Sequence, residues 1–138
     1  MTIINESEHD LSMILSEASG ERSREEVVIL AGAGSDRVLP AGTVIAELTA
    51  GAKVGKWQEL NPGAADGEGE AAGVLIAAKT APNGVDTKGV VIERDAELNI
   101  SRCFFPGQGG LAGAITAPQL STEFQRLDGR GVKLRQSV

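Results

Sequence analysis

The sequence predicts a mainly β fold: a small compact domain of short strands with one C-terminal helix and a flexible N-terminal arm. Short runs rich in Val, Ile and Leu alternate with clusters of glycine, proline and asparagine, which is the pattern of strands separated by turns. The 18 glycines also favour turns and close backbone approaches over long helices. A chain of 138 residues is long enough for one such domain but not for two separate cores.

The first 19 residues are expected to form the arm. Residues 1–10 are mostly polar, a composition typical of loose termini. In residues 11–18 the apolar side chains recur at helical spacing, yet the same stretch equally fits a short strand, and propensity does not decide between them. The remaining residues, 20–138, are predicted to form a single β-rich domain that begins with a charged, turn-like segment at 20–26.

Seven segments have the length and the aliphatic content of strands. They are residues 27–30, 37–39, 43–48, 56–60, 71–78, 89–95 and 131–134. Pro40-Ala41-Gly42 predicts a turn, because proline presets φ and glycine accepts the conformations that turns require. Longer loops are predicted at residues 61–70 and 80–88, where proline, glycine, asparagine and aspartate are concentrated.

One helix is well signalled near the C-terminus. Thr116 is placed to cap it, Pro118 falls in its first turn, and Gln119 occupies the reciprocal position of a capping box. Gly129 is a suitable residue to end it. Three apolar side chains then share one face of the helix: Leu120, Phe124 and Leu127.

The charge balance argues against nucleic acid and membranes as partners. The formal net charge is −6, whereas nucleic-acid-binding proteins present clustered Lys and Arg. No apolar run approaches the ~20 residues of a membrane-spanning helix, and residues 1–10 lack the features of a secretory leader. Cys103, the single cysteine, cannot form an internal disulfide. We therefore expect synthesis in a reducing cytoplasm.

The sequence offers few residues for catalysis or for a metal. His9 is the only histidine and lies in the predicted arm, so a zinc site of usual composition is not expected. Cys103 lacks a histidine in the domain to activate it, and we expect it to be a buried apolar residue. Glu93, Asp95 and Glu97 would share one face of a strand, where a solvated strand edge explains them more simply than proton sharing. We predict no enzymatic activity and no cofactor.

Several segments, taken in order, resemble the lambda-type bacteriophage head decoration proteins. Ser16-Glu17-Ala18 and Arg22-Ser23-Arg24-Glu25 are similar to the start of that family's domain, and residues 39–45 resemble its turn and strand. The other segments are similar to the family's central loop and to the strands that follow it: residues 61–67, 71–75 and 90–99. No single motif is specific, but their order and spacing across one small chain identify the resemblance.

The resemblance implies a β-clip or β-tulip-like domain that acts as a structural protein of the virion. Such proteins bind the major capsid protein on the outer surface of the expanded head, as homotrimers at three-fold and quasi-three-fold sites, and stabilise it. The arm would order on binding and add a strand to the capsid protein. The candidate capsid-binding residues are Leu11, Met13, Ile14 and Leu15. Gly73 suggests close approach of another strand or subunit and is the candidate trimer contact.

An alternative is a small-ligand or carrier-type β binding module not associated with phage. Residues 43–60 fit such a module, and a carrier domain would need an exposed lysine at a hairpin tip. Lys53 is the candidate for that lysine.

Overall fold

A computed structural model describes residues 10–136, and over this range the chain is mainly β, as predicted. The strands are β1 Ile14–Glu17, β2 Arg24–Ile29, β3 Arg37–Leu39, β4 Val44–Glu47, β5 Trp57–Glu59, β6 Gly73–Leu75, β7 Lys79–Ala81, β8 Thr87–Ile92, β9 Ala96–Asn99 and β10 Val132–Arg135. The α-helix α1 covers Ala117–Gly129, and short 3-10 helices lie at Asp10–Met13, Ser19–Glu21 and Ile100–Arg102.

Five strands close into a barrel in the order β2-β5-β4-β6-β8. Successive side chains of a strand point to opposite faces, and along β4 and at the end of β8 both faces are covered. On β4, Ile45 packs in one hydrophobic cluster, whereas its neighbours Val44 and Ala46 pack in another. Val91 and Ile92 on β8 divide in the same way. This double burial explains why these strands read as continuous apolar runs rather than as alternating ones.

The two clusters form two layers of core. The inner cluster fills the barrel with side chains that include Ile29, Trp57 and Leu75. The outer cluster joins the other face of the wall to α1 and to a second, three-stranded sheet. Leu98 and Leu127 are completely buried in this outer cluster, so the helix and the second sheet are integral parts of the domain.

The second sheet, which we call the terminal sheet, has the order β1-β9-β10. Strand β1 is antiparallel to β9, and β10 is parallel to β9. The alternative that the sequence left open for residues 11–18 is thus decided: a 3-10 turn leads into a strand, not into an α-helix. A separate two-stranded sheet pairs β3 with β7.

The C-terminal helix follows its sequence signals closely. The Thr116 N–H donates to the Gln119 side chain at 2.9 Å, and the Gln119 N–H donates to the Thr116 hydroxyl at 3.4 Å, which completes the capping box. The helix ends at Gly129, the predicted residue, and Arg130 is its C-cap. The glycine in the left-handed conformation that commonly follows a helix is Gly131, with a φ of 83°.

Several strand boundaries differ from the prediction: β2 begins at Arg24, inside the segment predicted to be a turn, and the predicted strand at residues 71–78 is reduced to Gly73–Leu75. The predicted strand at residues 89–95 ends at Ile92, and Asp95 has a φ of 50° in the turn before β9. The predicted loop at residues 80–88 contains the end of β7 and the start of β8. The segment 89–95, predicted to be one strand, therefore contains the beginning of a tight turn at its polar end.

Candidate functional site

The terminal sheet brings the first and the last described strands together. Ile14 at the start of β1 and Leu134 near the end of β10 are both paired with Leu98 of the central strand. Neighbouring strands are about 4.8 Å apart, so the two positions lie about 10 Å from each other across β9. The chain therefore enters and leaves the described domain at the same end of one small sheet.

The four residues predicted to bind the capsid have different environments. Met13 is 1% exposed and packs in the outer cluster, and Ile14 is half-buried against the same cluster. Leu15 is 44% exposed, the most of any large apolar side chain in the described part of β1. The side chain of Leu11 lies outside the described residues. Leu15 is thus the member of the set whose described side chain is available to a partner.

Residues 1–19 were predicted to be an arm, and the structure describes part of this segment. Residues 10–17 form a 3-10 turn and β1, which pairs with β9 and contributes Met13 to the core. Residues 1–9 lie outside the described residues. Within the described chain, β1 is an edge strand, so its second edge has no strand beside it. An edge of this kind presents backbone N–H and C=O groups to a further strand.

A charged cluster fastens β1 to the barrel. The carboxylate of Glu17 accepts hydrogen bonds from the Arg24 guanidinium at 2.5 and 3.0 Å and from the Ser23 hydroxyl at 2.7 Å. Ser23 is completely buried, and the two charged side chains are about three-quarters buried. The hydrogen bonds from Arg24 are the main cause that lowers the pKa of Glu17. Sequence reasoning missed this cluster, because its members are polar residues in a segment predicted to be an arm and a turn.

The lowered pKa of Glu17 predicts a loss of stability in acid. A carboxylate whose pKa is lower in the folded state stabilises that state above its ordinary value of 4.5, and this contribution is lost as the pH falls through the folded pKa. We expect Glu17→Gln to cost about 1 kcal/mol or less at pH 7. The difference in melting temperature between wild type and variant should shrink as the pH falls below 4.5. A difference that stays constant with pH would contradict the role of this carboxylate.

Gly73, the predicted trimer contact, lies where two strands of the barrel approach closely. A Cβ atom at this position would lie 2.6 Å from the carbonyl oxygen of Ile92 and 3.6 Å from the Cα of Glu93, both in the same chain. The close approach inferred from the small residue is therefore satisfied by a neighbouring strand. Its role in a trimer stays a prediction.

A second polar cluster, also missed from the sequence, fixes the helix to the loop at residues 61–70. Glu123 is 2% exposed, accepts a hydrogen bond from the Ala71 N–H at 2.7 Å, and is paired with Arg126. Arg126 also donates to the carbonyl of Gly69 at 2.8 Å. Acidic and basic residues three apart commonly form exposed ion pairs on helices, so nothing in the sequence indicated that Glu123 is buried.

A model of the bacteriophage lambda head decoration protein D family matches residues 3–131 of the 138 in the chain. The chain belongs to this family. No curated protein and no solved structure matched it. Membership confirms the resemblance of the sequence and supports a role in decorating a phage capsid. The family is one of structural capsid proteins rather than enzymes.

The residues considered for catalysis do not converge in the decoration protein. Glu93 pairs with Arg94, and Glu97 pairs with Arg135 at 2.8 Å on the terminal sheet. Asp95, between them, lies in a turn, so the shared strand face assumed from the sequence does not exist. Residues 10–136 contain no group of three or more acidic, histidine or cysteine side chains that could hold a metal.

The single cysteine of the decoration protein is enclosed. Cys103 is 3% exposed, as expected from its neighbours, and its thiol donates to the carbonyl of Asn99 at 3.4 Å. Burial raises the pKa of the thiol to about 12, so the thiolate form is strongly disfavoured. His9, the other residue considered, lies outside the described residues.

Two further observations concern possible partners of the decoration protein. None of the helices in the described chain has both the length and the apolar character needed to cross a membrane. Lys53 is exposed in the turn that connects β4 to β5, which is the hairpin position the carrier alternative required. The family to which the chain belongs is one of capsid decoration proteins, so it does not support the carrier alternative.

Proposed function

We propose that this decoration protein binds the outer surface of the expanded head as a homotrimer, at three-fold and quasi-three-fold sites, and stabilises the head. The observation that carries the proposal is the terminal sheet: the first and last described strands flank β9 there, and its edge strand β1 has an exposed Leu15. A part of the surface that combines an open strand edge with an exposed apolar side chain is suited to strand addition.

In the proposed contact, the N-terminal segment and β1 pair with the major capsid protein. Main-chain hydrogen bonds supply affinity, and alternate side chains supply specificity. The side chain of Ile14 packs partly against the protein's own core, whereas the exposed side chain of Leu15 can enter a pocket on the capsid protein. The ion pair of Glu17 and Arg24 holds β1 on the barrel, so a contact between β1 and the capsid protein would attach the whole domain to the head.

Stabilisation would arise from binding alone. A ligand that binds the assembled head and not the dissociated shell shifts the equilibrium towards assembly. Three linked contacts in each trimer add to one another through a high effective concentration, so each of them can be weak. This mechanism needs no catalytic group, which agrees with the structural character of the family.

Leu15→Asp tests the proposed contact. A carboxylate buried without a partner carries a large penalty, so we expect at least a tenfold loss of affinity for expanded heads that lack the protein. Val28→Asp is the matched control, because Val28 is 38% exposed on a barrel strand and outside the terminal sheet. Co-sedimentation with heads prepared from the phage that encodes the chain measures binding, and melting curves verify folding.

The outcomes separate the hypotheses. Leu15→Asp should fail to sediment with heads while it melts like Val28→Asp, which should still bind. Normal occupancy of heads by a folded Leu15→Asp protein would show that β1 is not the contact. Failure of the wild type to bind heads would contradict the decoration function proposed for this chain.

A further inference from the structure

Three loops at one end of the barrel are tied together. They are residues 31–36, 48–56 and 82–86, which connect different strands. The Asp86 carboxylate accepts a hydrogen bond from the Ala31 N–H at 2.9 Å and pairs with Lys56 at 2.6 Å, so it links all three loops. These contacts hold the loops in a fixed arrangement.

The first and third loops are joined by additional hydrogen bonds. The Gly34 N–H donates to the side-chain oxygen of Asn83 at 2.9 Å, and the Asn83 N–H donates to the Asp36 carboxylate at 2.9 Å. Gly32 and Asn83 also form an isolated β-bridge. The first and third loops therefore form one connected surface.

This rigid end of the barrel exposes apolar side chains. Val38 on β3 is 66% exposed, Val54 is 59% exposed and Val85 is 55% exposed. These are the three most exposed large apolar side chains in the part of the chain that the structure describes. Exposed apolar residues grouped on a rigid surface mark interaction sites more often than scattered ones do.

One of these valines lines a groove, and another lies at the tip of a hairpin. The groove has a volume of about 370 Å³ and lies between Val38 and Leu111, with the ion pair of Arg37 and Glu59 and the carboxylate of Asp36 in its lining. Leu111 packs against the inner cluster of the barrel, so this wall of the groove is fixed.

The tip consists of residues 51–55 in the turn between β4 and β5. It is bounded by Gly51 and Gly55, whose φ angles of 82° and 84° are left-handed and give a tight turn. Val54 lies at this tip, beside the exposed Lys53. The tip is therefore apolar and basic, whereas the groove is apolar and carries one carboxylate, Asp36, in addition to the ion pair of Arg37 and Glu59.

We propose that the tip of one copy inserts into the groove of the next copy, and that three such contacts close the trimer. A three-fold ring needs two different, complementary patches on each copy, because its contacts are heterologous. The tip and the groove are such a pair: Val54 would fill the space beside Val38 and Leu111, and Lys53 would face Asp36. This inference rests on the trimer of the proposed function and specifies its interface.

The two binding roles then use different parts of the molecule. The head would be bound through the terminal sheet, and the neighbouring copy through the loops at the end of the barrel. The tip and groove belong to segments outside the terminal sheet, so a variant can affect one role without the other.

Cysteine pairing tests the tip and groove directly. Val54→Cys and Val38→Cys are made as separate proteins, mixed, and oxidised mildly with a copper catalyst. We expect a disulfide-linked dimer in the mixture, and none with either variant alone, because each interface joins one tip to one groove. The native Cys103 is buried and does not compete. Val28→Cys, mixed with Val38→Cys, is the matched control and should give no dimer.

The experiment is run on decorated heads and on concentrated protein in solution. A dimer from the mixture supports the interface, and decoration without that dimer overturns it while leaving the decoration function intact. If the wild type does not bind heads, the decoration function fails, and the experiment in solution still decides the interface. Val54→Asp provides a second measurement: on expanded heads it should bind at least tenfold more weakly than wild type and Val28→Asp, and a folded Val54→Asp that occupies heads like wild type would overturn the proposal.

Discussion

Gly73→Leu should leave no stably folded domain. Even the first atom of a side chain at this position would lie 2.6 Å from the carbonyl oxygen of Ile92, so the paired strands β6 and β8 would have to separate. Overpacking in a core commonly costs about 1–3 kcal/mol, and a clash with backbone exceeds that range because a strand cannot rotate away as a side chain can. We expect a loss of more than about 3 kcal/mol, a large part of a small domain's stability, measured by urea unfolding and circular dichroism.

Gly129→Leu is the control for this experiment. It adds the same side chain at a helical glycine where nothing lies within 4 Å of the new Cβ atom. Leucine also favours helix more than glycine does, so this variant should be at least as stable as wild type. A Gly73→Leu protein that is folded and stable but fails to trimerise would instead establish Gly73 as a contact between copies.

Removal of residues 1–17 should destabilise the domain severely, whereas removal of residues 1–9 should not. The longer deletion takes away β1 and the Met13 side chain, which is 1% exposed in the outer cluster. Loss of one buried methionine alone costs about 2–5 kcal/mol, and the deletion also leaves Arg24 without Glu17. Thermal melting of the two truncated proteins measures the difference.

The same pair of deletions separates folding from decoration. The protein that lacks residues 1–9 retains every described element, so any loss of head binding can be attributed to residues 1–9 themselves. Met13→Ala in the full chain is the intermediate case and should lose stability without losing β1. If the protein that lacks residues 1–17 melts like wild type, β1 is not part of the stable domain.

The sequence predicted those elements whose signals are local. The capping box of Thr116 and Gln119 depends on residues three apart, and the helix begins where they indicate. The apolar runs of β4, β6 and the end of β8 are also local signals, because side chains on both faces of these segments are buried. The strand β9 was not separated from β8, since only the left-handed turn at Asp95 divides them and aspartate occurs in turns and exposed strands alike.

The sequence predicted only part of the candidate site, and the reason is related. The apolar group of Met13, Ile14 and Leu15 was recognised, but its division between the core and the surface depends on the pairing of β1 with β9, about eighty residues later in the chain. The ion pair of Glu17 and Arg24 has the same dependence on tertiary structure. Contacts between distant segments leave no periodic pattern in the sequence, which is why these were found only in the structure.

The parallel pairing of β10 with β9 has a consequence for how the protein is made. The barrel contains strands only up to Ile92, so it can close on the ribosome while β9 and β10 are still to emerge. The terminal sheet joins Ile14 to Leu98 and Leu98 to Leu134, and such non-local pairings form late and slowly. The proposed surface for the head would therefore be completed last, once β9 and β10 have both left the ribosome.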